Sequence, residues 1–184
     1  MWSDYLCPWC YAGLARSARL SAEFGIAVTP LPYELHPHIP KGGVPSTSRY
    51  SRIATECEAT GMPFRPPERV PNSRRALASS EWVRLHAPAS HAAVHERLFA
   101  AMFVDGLDIE DPDVLDEIVS AAGADATACR AAVDAGELDA ALADHRERAL
   151  DFGVTGTPSW LLDGRILVPG LQPWQTFARF VARL

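Results

Sequence analysis

Cys7 and Cys10 stand near the start of the chain, separated only by Pro8 and Trp9. Two thiols at this spacing suit three kinds of chemistry: half of a zinc site, a structural pair, or a redox centre that cycles between dithiol and disulfide. The residues after them read as a helix, which places Cys7 at a helix N-terminus. Unpaired backbone N–H groups and the positive end of the helix dipole favour thiolate over thiol there, so the Cys7 pKa is expected below the free value of about 8.5. Pro8 suits a first turn, because it has no N–H to leave unsatisfied and its φ is already helical. In a redox reading Cys7 is the exposed attacking thiol, and Cys10, further into the helix, is the resolving one.

A zinc site would need two more ligands. No second CxxC, CxxH or HxxxH knuckle lies at a suitable spacing, although His36 and His38 could complete a Cys2His2 set. Two thiols without chemistry also stay open, since CxxC alone is only moderately specific. Support for redox chemistry comes from the far end of the chain. In "GVTGTPSWLL", Thr157-Pro158 stands directly before an apolar strand, where a cis proline can present a flat backbone edge to a ligand.

The elements that must position these residues are legible in outline. Cys10 to Phe24 reads as a helix with Leu14, Ala18 and Ala22 along one face, stopped by Gly25. "IAVTPLPYEL" reads as extended, with Pro30 and Pro32 limiting hydrogen bonds on one side. "HPHIPKGGVPSTS" reads as a loop. From Arg49 to Phe152 strand signals vanish, and apolar residues recur at helical spacing, as in Val94, Leu98 and Met102, then Val114, Leu115 and Ile118. Asn72, Asp113 and Asp125 mark helix starts, and Gly61, Gly106, Gly123 and Gly136 mark breaks, which predicts five or six helices. "PSWLLDGRILVPG" predicts two strands joined by a two-residue turn at Asp163-Gly164. Pro173 opens a final helix that is expected to run to Leu184. The predicted fold is α/β, with residues 1–48 and 153–184 forming the core and a helical insertion over 49–152.

Together these residues resemble the thioredoxin superfamily. More closely they resemble DsbA-like dithiol oxidoreductases of the FrnE type, related to 2-hydroxychromene-2-carboxylate isomerases and kappa-class glutathione transferases. The resemblance covers nearly the whole chain: "WSDYLCPWCYAG", "PYELHPHIPKGG", "NSRRAL", "FVDGLDIEDPDVL" and "GVTGTPSWLLDGRILVPGLQP". The first and last segments are specific. The resemblance implies a thioredoxin-like core with an all-helical insertion, Cys7 as nucleophile, Cys10 as resolving thiol and Pro158 as the cis proline. It further implies that the Thr157 backbone pairs with a substrate peptide or thiol. Pro8 and Trp9 are read as substrate-binding, with Trp9 either exposed on the surface that meets the substrate or packed on the helical block. Two departures matter. Only Met1 and Trp2 precede the Ser-Asp segment, so the first strand is expected to be truncated. The isomerase and transferase branches place serine where Cys7 stands, so two cysteines favour dithiol–disulfide exchange.

Composition narrows the partners. The net charge of −6 and scattered arginines argue against nucleic acid. No apolar run approaches the roughly 20 residues of a membrane span, and no signal peptide precedes Cys7, so a cytoplasmic location is expected. The expected partners are protein or small-molecule thiols and disulfides, with glutathione as a possible co-substrate, no metal or organic cofactor, and a homodimer as an open possibility. The alternatives are a glutathione-dependent isomerase or transferase and a non-catalytic binding module on the same fold.

Some residues receive blander readings. Asp4 is expected to cap the first helix, and Trp9, which brings no positive charge, to leave the centre less oxidising than a histidine would. Cys57 and Cys129 are expected to be buried and inert. His91 and His95, four residues apart, are expected at the solvated surface, and Gly170-Leu171-Gln172 to form a capping turn.

Overall fold

The computed structural model describes residues 1–183; Leu184, the expected end of the final helix, lies outside them. A four-stranded sheet runs through β1 (Trp2–Ser3), β2 (Leu31–Pro32), β5 (Ser159–Leu162) and β6 (Ile166–Pro169) in the order β2-β1-β5-β6. β1 pairs parallel with β2 and antiparallel with β5, so a segment from each end of the chain meets at the sheet centre. The first strand has two residues. Leu31 N–H donates to the Met1 carbonyl and Tyr33 N–H to that of Ser3, at 2.8 and 2.9 Å. Pro30 and Pro32 alternate with these donors along the strand. β2 is the sheet edge, and prolines there have no N–H with which to recruit another strand.

α1 (Pro8–Phe24) begins two residues earlier than the periodicity predicts, with Cys7 as its N-cap and Pro8 in its first turn. Gly25 ends it at φ 65°, a left-handed conformation that suits glycine. The block that follows holds α2 (Ser51–Ala59), α3 (Arg74–His86), α4 (His91–Ala100), α5 (Pro112–Ala121), α6 (Ala126–Asp134) and α7 (Asp139–Asp151). The block is not purely helical. β3 (Val44–Pro45), in the expected loop, pairs with β4 (Arg69–Val70) as a short antiparallel ladder. Two residues carry too little periodicity to register as a strand. The expected start at Asp113 moves to Asp111, whose side chain accepts from Asp113 N–H; Asp125 caps α6 as expected. Asn72 takes the Arg74 N–H at 2.9 Å, one residue ahead of the formal cap, Ser73.

The terminal hairpin forms, with a three-residue connection. Arg165 N–H donates to the Leu162 carbonyl at 3.0 Å, and Asp163 and Gly164 occupy the turn centre at φ 49° and 66°. α8 (Trp174–Val181) closes the chain; Gln172 bonds the Pro169 carbonyl instead of capping it.

Three apolar clusters hold these parts together. Leu20, Trp160, Leu162, Val168, Phe177 and Val181 join α1 and α8 to one sheet face. Trp2, Tyr33, Ala149 and Val154 pack α7 against the other face. The largest cluster joins Tyr5, Leu6, Cys7, Cys10 and Tyr11 to helical-block residues such as Leu98, Phe99 and Phe103. Full burial of one such side chain stabilises by about 1.5–3 kcal/mol. The segment carrying the cysteines is thus held in the core of the insertion.

Candidate active site

The N-terminal position of Cys7 is built by local bonds. Its N–H donates to the Asp4 carbonyl at 3.0 Å, closing a tight turn, and its own carbonyl accepts from Cys10 and Tyr11. Its backbone is extended (φ −87°, ψ 108°), which leaves its side chain at the open end of α1. Contrary to the expectation of an exposed thiol, Cys7 is only 3% exposed, and Cys10 is 0% exposed. The cover comes from far along the sequence. β1 lies beside β5, which brings the Thr157 carbonyl within 3.2 Å of the Cys7 Sγ, from which it accepts a hydrogen bond. The Thr157-Pro158 peptide is cis, and the Pro158 carbonyl accepts from Gly170 N–H at 2.7 Å. The structure therefore brings Cys7, Cys10 and Thr157 together. Pro8 and Trp9 are half-buried; Trp9 packs on the core cluster, with the Arg52 guanidinium 6.0 Å from its ring centroid.

The two thiols are electrostatically unlike. Cys7 is pulled below the usual thiol range, first by the hydrogen bond from the Cys10 thiol, then, against the cost of burial, by the Thr157 hydroxyl and the N–H groups of Cys10 and Trp9. Burial and the neighbouring Cys7 sulfur push Cys10 well up. Both directions describe the ionised pair: when Cys7 gives up the proton it donates to the Thr157 carbonyl, Cys10 keeps its own and donates to the Cys7 thiolate. The Thr157 hydroxyl oxygen is buried with no partner among the described residues, so its proton is free to serve a thiolate. The two free thiols thus differ in how firmly they hold a proton.

Asp4 does not cap α1. It is fully buried, with one carboxyl oxygen accepting from Leu6 N–H at 3.1 Å and the other from Leu35 N–H at 2.7 Å. Burial raises its pKa to about 6, against the lowering effect of the Leu35 and Leu6 N–H groups and Ser73. Its backbone N–H also faces the Cys10 sulfur. Asp4 therefore ties the cysteine segment to the exit of β2 and the start of α3, a role that sequence spacing does not reveal.

Cys57 and Cys129 are buried as expected, with pKa values raised by burial. His91 and His95 are buried, which corrects the surface expectation. Spacing of four residues identifies a shared helix face without saying what packs on it, and here Tyr5 and α3 do. Among the described residues no group of three His, Cys, Asp or Glu side chains is arranged to hold a metal ion, and His36 and His38 are exposed. No helix among them is long and apolar enough to cross a membrane.

A central sheet flanked by helices, a dithiol at a helix N-terminus and a helical insertion define a thioredoxin-like fold. A family profile for the DSBA-like thioredoxin domain matches residues 1–182, and the chain belongs to that family. It is 23% identical over 197 residues to the uncharacterized protein YwbO of Bacillus subtilis (strain 168), covering 99% of this chain and 94% of that one. Among solved structures, a probable DsbA oxidoreductase of Streptomyces coelicolor superposes with a TM-score of 0.87 at 26% identity, over 99% of this chain and 87% of the other. The cytosolic disulfide reductase DsbM of Pseudomonas aeruginosa, solved with GSH, gives 0.72 at 23%, over 100% and 98%. A 2-hydroxychromene-2-carboxylate isomerase gives 0.79 at 20%, over 99% and 93%.

Proposed function

We propose that this protein is a thiol–disulfide oxidoreductase with Cys7 as nucleophile and Cys10 as resolving thiol. The observation that carries the reading is the pairing of a Cys7 thiol of lowered pKa with a Cys10 thiol that keeps its proton. In the reducing direction the Cys7 thiolate attacks one sulfur of a substrate disulfide. The S–S bond breaks, the leaving sulfur takes the bonding pair and a proton, and a mixed disulfide forms on Cys7. Cys10 loses its proton, attacks the Cys7 sulfur and expels the second substrate thiolate. The substrate has gained two electrons, and Cys7 and Cys10 are joined as a disulfide. Two equivalents of a thiol such as glutathione restore the dithiol and leave joined as their own disulfide, a choice supported by the likeness to DsbM solved with GSH. The cytosolic description of DsbM likewise supports a cytoplasmic place for this chain.

In this reading Pro158, Thr157, Pro8 and Trp9 border the site where the substrate sulfur arrives, residues 1–48 and 153–184 are the catalytic core, and 49–152 is the insertion that covers it. Reduction of a protein disulfide with dithiothreitol as electron source tests the proposal. Cys7→Ser is expected to abolish turnover, and Cys10→Ser to accumulate a mixed disulfide visible by mass. Activity towards glutathione conjugates that survives Cys7→Ser would replace this reading with a glutathione-dependent transferase or isomerase. Binding without turnover in the wild type would leave only a docking module.

A further inference from the structure

Beneath the cysteine segment lies a second polar centre that thiol chemistry does not use. The Tyr5 hydroxyl donates to Ser80 Oγ at 2.7 Å and lies 3.0 Å from His95 Nδ1, and Ser80 Oγ lies 3.2 Å from His91 Nε2. Tyr5 has one hydroxyl proton, and it goes to Ser80. At His95 the tyrosine oxygen must therefore accept, so the proton of the imidazole sits on Nδ1. Ser80 Oγ, which accepts from Tyr5, also hydrogen-bonds His91 Nε2. The direction of the Tyr5–His95 link follows from that one hydroxyl.

That assignment leaves His95 Nε2 as a bare lone pair. The residue is 4% exposed, and Nε2 has no hydrogen-bond partner among the described residues. Burial first, and the neighbouring His91 next, hold its pKa at about 3, so the ring stays neutral and cannot satisfy Nε2 with a proton of its own. Ser3, 3% exposed, has an equally unpartnered Oγ. Both side chains line the same cavity, of about 10 Å³, between β1, β2 and helices α3 and α4. Ser80, Glu81 and His91 line it too. A buried acceptor left unpaired costs about 1–3 kcal/mol, and two around one cavity call for a common partner.

We infer that this cavity is a binding site for one water molecule, which donates to His95 Nε2 and shares its second hydrogen bond with Ser3 Oγ. The volume is about what the centre of one water needs, and the lining offers two polar partners, as a buried water requires. A metal ion does not fit, because His91 Nε2 is engaged by Ser80 and no third ligand is present among the described residues. The water completes a hydrogen-bonded chain from Ser3 through His95, Tyr5 and Ser80 to His91. It fastens both residues that flank Asp4 to α3 and α4.

The full chain, labelled with ¹⁵N and ¹³C, tests this. Long-range ¹H–¹⁵N correlation at neutral pH is expected to show His95 protonated on Nδ1 alone. A long-lived water should give cross-peaks to the His95 Cδ2 proton and the Ser3 side chain. ¹⁷O relaxation dispersion should count one such water fewer in His95→Phe, whose ring fills the site without an acceptor. If that variant does not fold, the wild-type measurements decide alone. A proton on Nε2, no long-lived water beside His95, or a direct Ser3–His95 hydrogen bond would overturn the assignment.

Discussion

Two buried titratable side chains near the cysteines pull stability in opposite directions as pH changes. Asp4 has its pKa raised from 3.8 to about 6 by burial, so the folded state holds its proton more firmly than the unfolded chain. Its contribution is full below 3.8 and is lost as pH rises through about 6, a loss of about 3 kcal/mol. His95 is lowered from 6.5 to about 3, so its contribution is full above 6.5 and is lost as pH falls through about 3. The windows overlap, and in the wild type the two effects largely offset. Urea denaturation between pH 4 and 6.5 is expected to show stability rising more steeply with pH in Asp4→Asn than in the wild type. The same series in His95→Phe should show stability falling with pH. Parallel curves for the three proteins would remove these two residues as the titrating groups.

At the level of elements, a buried carboxylate on α3 is paired within its helix and bonded to α7. The Glu81 side chain, 1% exposed, takes a bidentate pair of bonds from Arg84 at 2.7 and 2.6 Å and a third from His145 at 2.9 Å. Burial alone would raise the Glu81 pKa, yet these partners outweigh it and hold the carboxyl at about 2. Glu81→Gln leaves the Arg84 guanidinium without its charge partner. Because the Arg84 side chain reaches solvent, the expected cost is about 2–3 kcal/mol, below the full value for a deeply buried pair. The difference from wild type should shrink as pH falls from 4.5 towards 2, where the native carboxylate itself protonates. A constant difference across that range would mean that packing, not charge, carries the joint.

Over the whole molecule, the largest apolar cluster contains the cysteine segment and residues from α2 to α6 together. A core shared in this way couples the cysteine segment and α1 to the helical block, so chemical denaturation is expected to follow one transition, with near-ultraviolet and far-ultraviolet dichroism coincident. Separate transitions would show that the block folds by itself. The features legible in the amino-acid sequence are those set within a few residues. Pro8 after Cys7 marks the start of α1, and Asp163-Gly164 supplies the positive φ that the hairpin needs. Three- and four-residue apolar periodicity marks the helices of the block. Each of these depends on local backbone sterics or on which face of an element is apolar. The Thr157 carbonyl at 3.2 Å from Cys7 Sγ depends instead on β1 pairing with β5 across 150 residues. Burial of Cys7, Asp4, His91 and His95 likewise depends on what packs against them. Sequence by itself determined the dithiol, its helix and the apolar faces. Tertiary structure alone decided how deeply the thiols are covered and which polar atoms meet inside, because solvent exclusion belongs to contacts between distant segments.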